Sequence, residues 1–417
     1  MITWANLRSS AALWLALPAM FYAGLYIDDA AYTAPSGYGV ESGELAAYGV
    51  AIVASAVSGA AAWEAGRHRL LGAARTVGGR SLVQQLFRAT TPVLLLHLFL
   101  VIGSLVMAHG AVDVWPSGAG LLAVAHLIVL PLGWLTIGWC LGTVLPRSIA
   151  APLAAIGCWA WLSMPHTWSS PWVRHLGGFI DGASTVTDIR KPAVYVVPWL
   201  VVAGVALALW LFVHMRRRAW GAAACVLMLA ITFVTGRALV ADWGYQRPTS
   251  PRNVAMTCVG ARPSVCVPPE YEQYAEQLRQ DALVPLSRLE AVGVTPPREL
   301  RISSDAIPLK PGTWPLFWSL PPVQSQPNPA QYAVNLAQSA VVGTAVLAGG
   351  PDCRQPSVIA SAWAALVIGV DEQSVRQAML ETDWVALQKI RRLPATEQLG
   401  WFDEAATSGG HCPRDTA

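Results

Sequence analysis

With 417 residues, 54% of them hydrophobic and only 13% charged, the chain is too apolar for an ordinary soluble protein. Its net charge of +3 is unevenly divided: residues 1–240 carry 14 Lys+Arg against 8 Asp+Glu, and residues 241–417 carry 14 against 17. The basic half owes its charge to loops between apolar runs, so the balance points away from nucleic acid as a partner.

Seven apolar runs follow one another in the first 240 residues. Ala11–Ile27 is slightly short for a bilayer of ~30 Å. It lacks a small-x-small cleavage site before Asp28, so it reads as an uncleaved anchor rather than a signal peptide. Asp28–Ser42 reads as an outside loop. Glu44–Trp63, built of Ala, Gly and Ser, is the second expected span and is suited to close helix packing. Pro92–Ala111, Ala119–Leu145 and Ser148–Met164 are the third to fifth, and Ala193–Met215 and Trp220–Val240 the sixth and seventh. Gly138 and Gly142 in the fourth span form a G-x-x-x-G close-packing motif.

The loop Glu64–Thr91, between the second and third spans, carries Arg67, Arg69, Arg75, Arg80 and Arg88 against Glu64 alone. Leu70, Ala74 and Val77 predict one apolar helix stripe that Gly78-Gly79 ends. Ser81 and Gln84 predict a capping box for a second short helix with Val83, Leu86 and Phe87 on its face. Such a loop either receives force from a soluble partner or lies on anionic lipid. Pro165–Pro192, with Trp168, Trp172 and Phe179, reads as short interfacial or re-entrant helices on the outside. Ten arginines (8, 67, 69, 75, 80, 88, 147, 216, 217 and 218) fall on segments expected inside, and three basic residues on outside loops. The positive-inside rule then places the N-terminus in the cytoplasm and everything after Ala241 outside the plasma membrane.

Residues 241–417 read as one mainly helical exported domain of sufficient length for a single core. A helix is expected from Pro268-Pro269 to Leu289 with a kink at Pro285, and further helices over Asn335–Leu347, Ser357–Val370, Glu372–Ile390 and Leu399–Ala406. Leu300–Ser303 is a candidate strand, and Lys310–Pro329 a Pro/Trp-rich loop. Four of the seven cysteines, Cys258, Cys266, Cys353 and Cys412, lie here, an even number that suggests two disulfides. The short loop CVGARPSVC is expected to close on itself, leaving Cys353 for Cys412, one of three connectivities four cysteines allow.

The chain contains no phosphate-cradling G-x-x-x-x-G-K-[ST], no H-E-x-x-H and no G-x-S-x-G, so neither an enzyme nor a cofactor or metal site is expected. Acid pairs such as Asp371/Glu372 and Glu381/Asp383 read as solvated helix faces. His97, His109 and His126 are candidates for a polar path through the spans, with satisfied buried histidines as the plainer reading. Arg237 is expected to snorkel from the seventh span.

An inside N-terminus, a basic helical loop after span two, a short basic turn after span four and an aromatic outside loop after span five resemble ABC exporter permeases of the type-2 class. The segment WEAGRHRLLGAARTVGGRSLVQQLFRA, Trp63–Ala89, looks like that family's coupling element, and the stretch CVGARPSVCVPPEYEQYAEQL is similar to exported domains fused to such permeases in high-GC actinobacteria. The resemblance covers residues 1–215; the seventh span and the exported domain depart from the six-span pattern. It implies a permease driven by a separately encoded ATPase that touches Arg67, Arg69, Leu70, Leu71, Arg75 and Arg80. It also implies pairing with itself or with a second permease. The alternative is a non-transporting membrane anchor whose exported domain binds a ligand or partner and signals inward. The expected architecture is thus an all-α polytopic membrane protein of about seven transmembrane helices followed by a disulfide-bearing extracytoplasmic domain.

Overall fold

The computed structural model describes residues 8, 10–32, 34, 36–70, 82–168, 170–180, 186–215, 217–245, 247–302, 304, 307–318, 328–349 and 356–408. The protein is mostly helical. It divides into two compact units: one of Met1–Ser184 and Arg190–Thr249, the other of Thr185–Ile189 and Ser250–Thr416.

The first unit contains α1 (Ala11–Ala31), α2 (Gly39–Tyr48), α3 (Val50–Leu70), α4 (Leu82–Val112), α5 (Gly120–Val144), α6 (Arg147–Ser163), α7 (Pro171–Gly177), α8 (Ala193–His214) and α9 (Arg218–Leu239). Five of these, α1, α4, α5, α8 and α9, are long and apolar enough to cross a membrane. The bent pair α2–α3 makes a sixth if it counts as one span. The expected second span therefore begins earlier than Glu44 and runs past Trp63, and it changes direction by 42° at Gly49, a poor helix former. The second of the two expected loop helices is not a separate element. From Leu82 it runs without a break through Pro92 into the third span, as the single 31-residue α4. Leu71–Ser81, including the predicted cap at Ser81, lies outside the described residues.

Helix α3 sits at the centre, packing on α1, α4, α5 and α6. Its contact with α5 depends on the predicted glycine motif. A Cβ at Gly138 would run into the Ser58 carbonyl oxygen, and one at Gly142 into that of Ala62, so the two backbones touch. Val50, Val53, Ala54, Val57 and Ala61 of α3 are fully buried.

In the second unit a four-stranded sheet lies beside helices. Strand β1 (Thr257–Val259) pairs antiparallel with β2 (Ser264–Val267), and β3 (Glu299–Arg301) and β4 (Thr313–Pro315) extend the sheet in parallel. Val265, Leu300 and Trp314 are register neighbours across the sheet and all buried, as period-2 alternation requires of one face. Against this face pack α10 (Ala275–Ala291) and α11 (Pro329–Leu347), followed by α12 (Val358–Ile368), α13 (Glu372–Gln377), α14 (Glu381–Arg391) and α15 (Ala395–Ser408). Gly343 is glycine because a Cβ there would enter the Trp314 ring. Most of this sheet falls outside the mainly helical expectation. The expected helix Glu372–Ile390 is two helices, with Trp384 and Leu387 of the second turned into the core.

Candidate functional site

The most unusual chemistry of the first unit is a buried charge cluster. Helix α2 begins in small residues, which lets its backbone approach the start of α5 so closely that no Cβ fits at Gly43 against Gly120. That approach carries Glu41 and Glu44 inside, at 4% and 3% exposure. The Arg190 Nε lies 3.0 Å from Glu44 Oε1, with its side chain equally buried. The Tyr195 hydroxyl, near the start of α8, donates to the same oxygen at 3.1 Å. Burial alone would lower the Arg190 guanidinium, but the Glu44 carboxylate outweighs it and holds Arg190 above its ordinary value. The guanidinium thus stays charged, and the contact with Glu44 offsets a desolvation that a buried charge bears poorly alone.

Beside this pair, the segment after α7 turns inward. Gly178 adopts a left-handed conformation at φ 91°, where glycine is favoured, and Phe179 and Ile180 are buried. His126 on α5 holds the turn. Trp199 Nε1 donates to His126 Nδ1 at 2.9 Å; an indole can only donate, so Nδ1 accepts and Nε2 carries the proton. That Nε2–H donates to the Gly178 carbonyl at 2.7 Å. The imidazole is therefore neutral and committed at both nitrogens. Arg247 donates to the Phe179 carbonyl, and His175 Nε2 lies 2.8 Å from the Gly244 carbonyl oxygen. Burial, then the nearby Arg174, lower Arg247 to about 10, so it too stays charged at neutral pH. Chemically the arrangement is a locked polar anchor with no nucleophile paired to a base. Among the described residues, no group of three or more His, Cys, Asp and Glu is spaced to hold a metal.

At the other end of α3 a second polar knot forms. Glu64 is buried at 1% exposure, accepts from Ser10 Oγ at 2.7 Å and pairs with Arg67 at 3.5 Å. Ser10 is also the N-cap of α1. The knot ties the start of the first apolar helix to the root of the basic loop.

Of the residues expected to meet an ATPase, Arg67 is in this knot and Arg69 and Leu70 end α3; Leu71, Arg75 and Arg80 lie outside the described residues. Cys258 and Cys266 are disulfide-bonded, while Cys353 and Cys412 lie outside the description. Cys140 and Cys158 are buried free thiols. Of the three histidines considered for a polar path, His97 Nε2 is 3.3 Å from the Leu127 carbonyl, His109 stacks on Trp115 at 4.4 Å, and His126 is bonded as above. Arg237 lies over the Trp172 ring at 5.5 Å. Sequence reasoning placed Glu44 merely at the edge of a span and Arg190 among outside basic residues. Two acids, Glu41 and Glu44, heading a run of small apolar residues were the available signal for a buried charge cluster.

Residues 265–412, from the middle of β2 to the last cysteine, match the family model of a domain of unknown function, DUF7224. No curated protein and no solved structure matches the chain.

Proposed function

We propose that the chain is the membrane-spanning permease subunit of an ABC-type exporter, driven by a separately encoded ATPase through residues 64–91. The observation that carries this reading is the helical continuity on both sides of that segment. A 31-residue helix is about 46 Å long, well beyond the ~30 Å hydrocarbon layer, so α4 supplies a rigid extension of its span toward the arginine-rich loop. The other flank, α3, is the central helix, and displacement at its root would reach the four helices packed on it. The inward turn after α7 supports the same reading, as an outer closure held by His126.

In this proposal the bilayer is crossed seven times. The bent pair α2–α3 is one span and the 17-residue α6, about 25 Å long, is a short one. The N-terminus and the arginine-rich ends face the cytoplasm, and the second unit lies outside the plasma membrane. ATP is hydrolysed on the partner, not on this chain, and the permease works as a pair, with itself or with a second permease. The alternative is a non-transporting anchor whose outer unit binds a ligand. It is supported by a groove of about 350 Å³ in that unit, lined by Arg252, Asn253, Met256, Arg301 and Ile302 among others.

Replacing Leu70 and Leu71 together by Asp tests the coupling role. It would place charge in the partner contact, where an unpaired buried charge is costly, and leave the spans intact. The expected result is normal membrane level with loss of a co-purifying ATPase and of its stimulation. Charge reversal at Arg75 should weaken the complex in a salt-dependent way, most at low salt, because exposed ion pairs are screened as salt rises. Undiminished ATPase stimulation in the double variant would overturn the transporter reading.

A further inference from the structure

Between α1, α3 and α6 lies an apolar crevice of about 530 Å³. Trp14 and Leu15 form one wall, Trp63 another, and Gly59, Ala151 and Ala155 the floor. The floor is deep because α3 and α6 meet without side chains between them. A Cβ on Gly59 would stand only 3.0 Å from the Ala155 Cβ and 3.3 Å from the Ala151 carbonyl oxygen. Two indoles therefore flank a slot of glycine and alanine.

One end of the slot is cationic. The Arg147 guanidinium sits 4.9 Å over the Trp63 ring centroid, and exposed Arg8 stands just ahead of Ser10, the cap of α1. A guanidinium presents a planar fork of N–H donors that matches a phosphate. Residues 1–10, 64–91 and 145–148 contain one acid, Glu64, and it is already engaged by Ser10 and Arg67. An apolar slot that ends in uncompensated positive charge suits an amphiphile with an apolar tail and an anionic head.

We infer that this crevice is a binding site for an anionic phospholipid, one acyl chain lying on Gly59, Ala151 and Ala155 and the phosphate held at Arg147. A second copy of the chain is a poorer occupant. Two copies inserted the same way bring like-charged ends into the same leaflet, and Arg147 would face another basic end. The inference rests on the membrane placement proposed above and is independent of transport or of any ATPase.

The test is native mass spectrometry of the full chain extracted from membranes, after exchange into detergent containing phosphatidylglycerol or phosphatidylcholine. The wild type should retain one phosphatidylglycerol per chain, about tenfold in preference to phosphatidylcholine, as one charge-assisted contact implies. Arg147→Gln should retain the two lipids equally. Ala155→Phe, which fills the slot, should lose both, and Ala151→Leu serves if that variant is not recovered. Equal retention of the two lipids by the wild type would overturn the headgroup assignment. Undiminished phosphatidylglycerol on the filled variants would overturn the crevice, as would efficient chain-to-chain cross-linking from Trp14→Cys, which would mark a second copy there. Recovery of the chain in the soluble fraction would overturn this site and the membrane placement together, whereas loss of the coupling role alone leaves it standing.

Discussion

Arg190 and Glu44 form an ion pair of 3.0 Å inside the first unit, sharing the carboxylate oxygen that Tyr195 also bonds. The pair joins the bent helix α2 to the segment that leads into α8. Removing one partner leaves an uncompensated buried charge, so Glu44→Gln or Arg190→Gln should each cost about 3–5 kcal/mol. The double Glu44→Leu, Arg190→Leu variant should lose less than the two single losses together, because neither member of the pair is then left without the other. Denaturant unfolding of the detergent-solubilised variants measures both. If the two single losses simply add in the double variant, the pair is not acting as a unit.

A second prediction follows from the tautomer fixed at His126. Trp199→Phe removes the one donor to Nδ1 and leaves a buried acceptor without its partner, a loss of about 1–3 kcal/mol. The Nε2–H bond to Gly178 survives, so the turn at Gly178–Ile180 should hold. His126→Phe removes both bonds, and amide exchange over Gly177–Ile180 should rise. Equal protection in the two variants would show that the imidazole does not hold the turn.

These two sites also show where the sequence is legible and where it is not. Gly138 and Gly142 announce their contact because a four-residue spacing is periodic within one helix. The helices at Val358–Ile368 and Pro329–Leu347 are likewise readable, the first ending at Gly369 with φ 96° and the second opening on the Asn328 cap. Glu44 stands 151 residues from Tyr195, and no local rule joins them. The strands Thr257–Val259, Glu299–Arg301 and Thr313–Pro315 are three residues each, too short for alternation to declare itself. Between Gln377 and Glu381 no glycine or proline marks the break of the expected long helix. Burial of Trp384 and Leu387 decides it, which is tertiary packing overriding propensity. The basic loop carried the functional expectation, and its part Leu71–Ser81 lies outside the described residues.

The second unit should carry a small acid-side dependence at the start of α13. Asp371 accepts from the Ser374 amide at 2.8 Å and from its hydroxyl at 3.1 Å, the amide being the stronger influence. These bonds hold the carboxylate below its ordinary value. A folded pKa below the unfolded one means the contribution is complete above about pH 4 and is lost as pH falls through the folded value. Asp371→Asn keeps a capping side chain and removes the titration. Protection of the Ser374 and Val375 amides relative to their intrinsic exchange should fall below about pH 4 in the wild type and stay level in the variant. Parallel pH profiles would refute the cap as the source.

The last prediction concerns the edge of the sheet. Cys258 and Cys266 are direct register partners across the antiparallel pair β1–β2, and a disulfide joins them. Among the described residues strand β1 is an edge strand paired to β2 alone, with three residues to hold it, whereas β2 is also paired to β3 and packed on α10. The bridge therefore matters most to β1. Closing a loop of this length should contribute about 2–3 kcal/mol by chain entropy, and the exported placement proposed for the unit is where such a bond persists. Peptide mapping without reductant should return Cys258 linked to Cys266. In a Cys258→Ser, Cys266→Ser variant, amide exchange should accelerate over Thr257–Val259 while Val265 and Leu300, held by the parallel pairing and the core, stay protected. Loss of protection across all four strands would mean that the bridge supports the whole unit and not its edge, and free alkylation of both thiols in protein isolated without reductant would remove the bridge altogether.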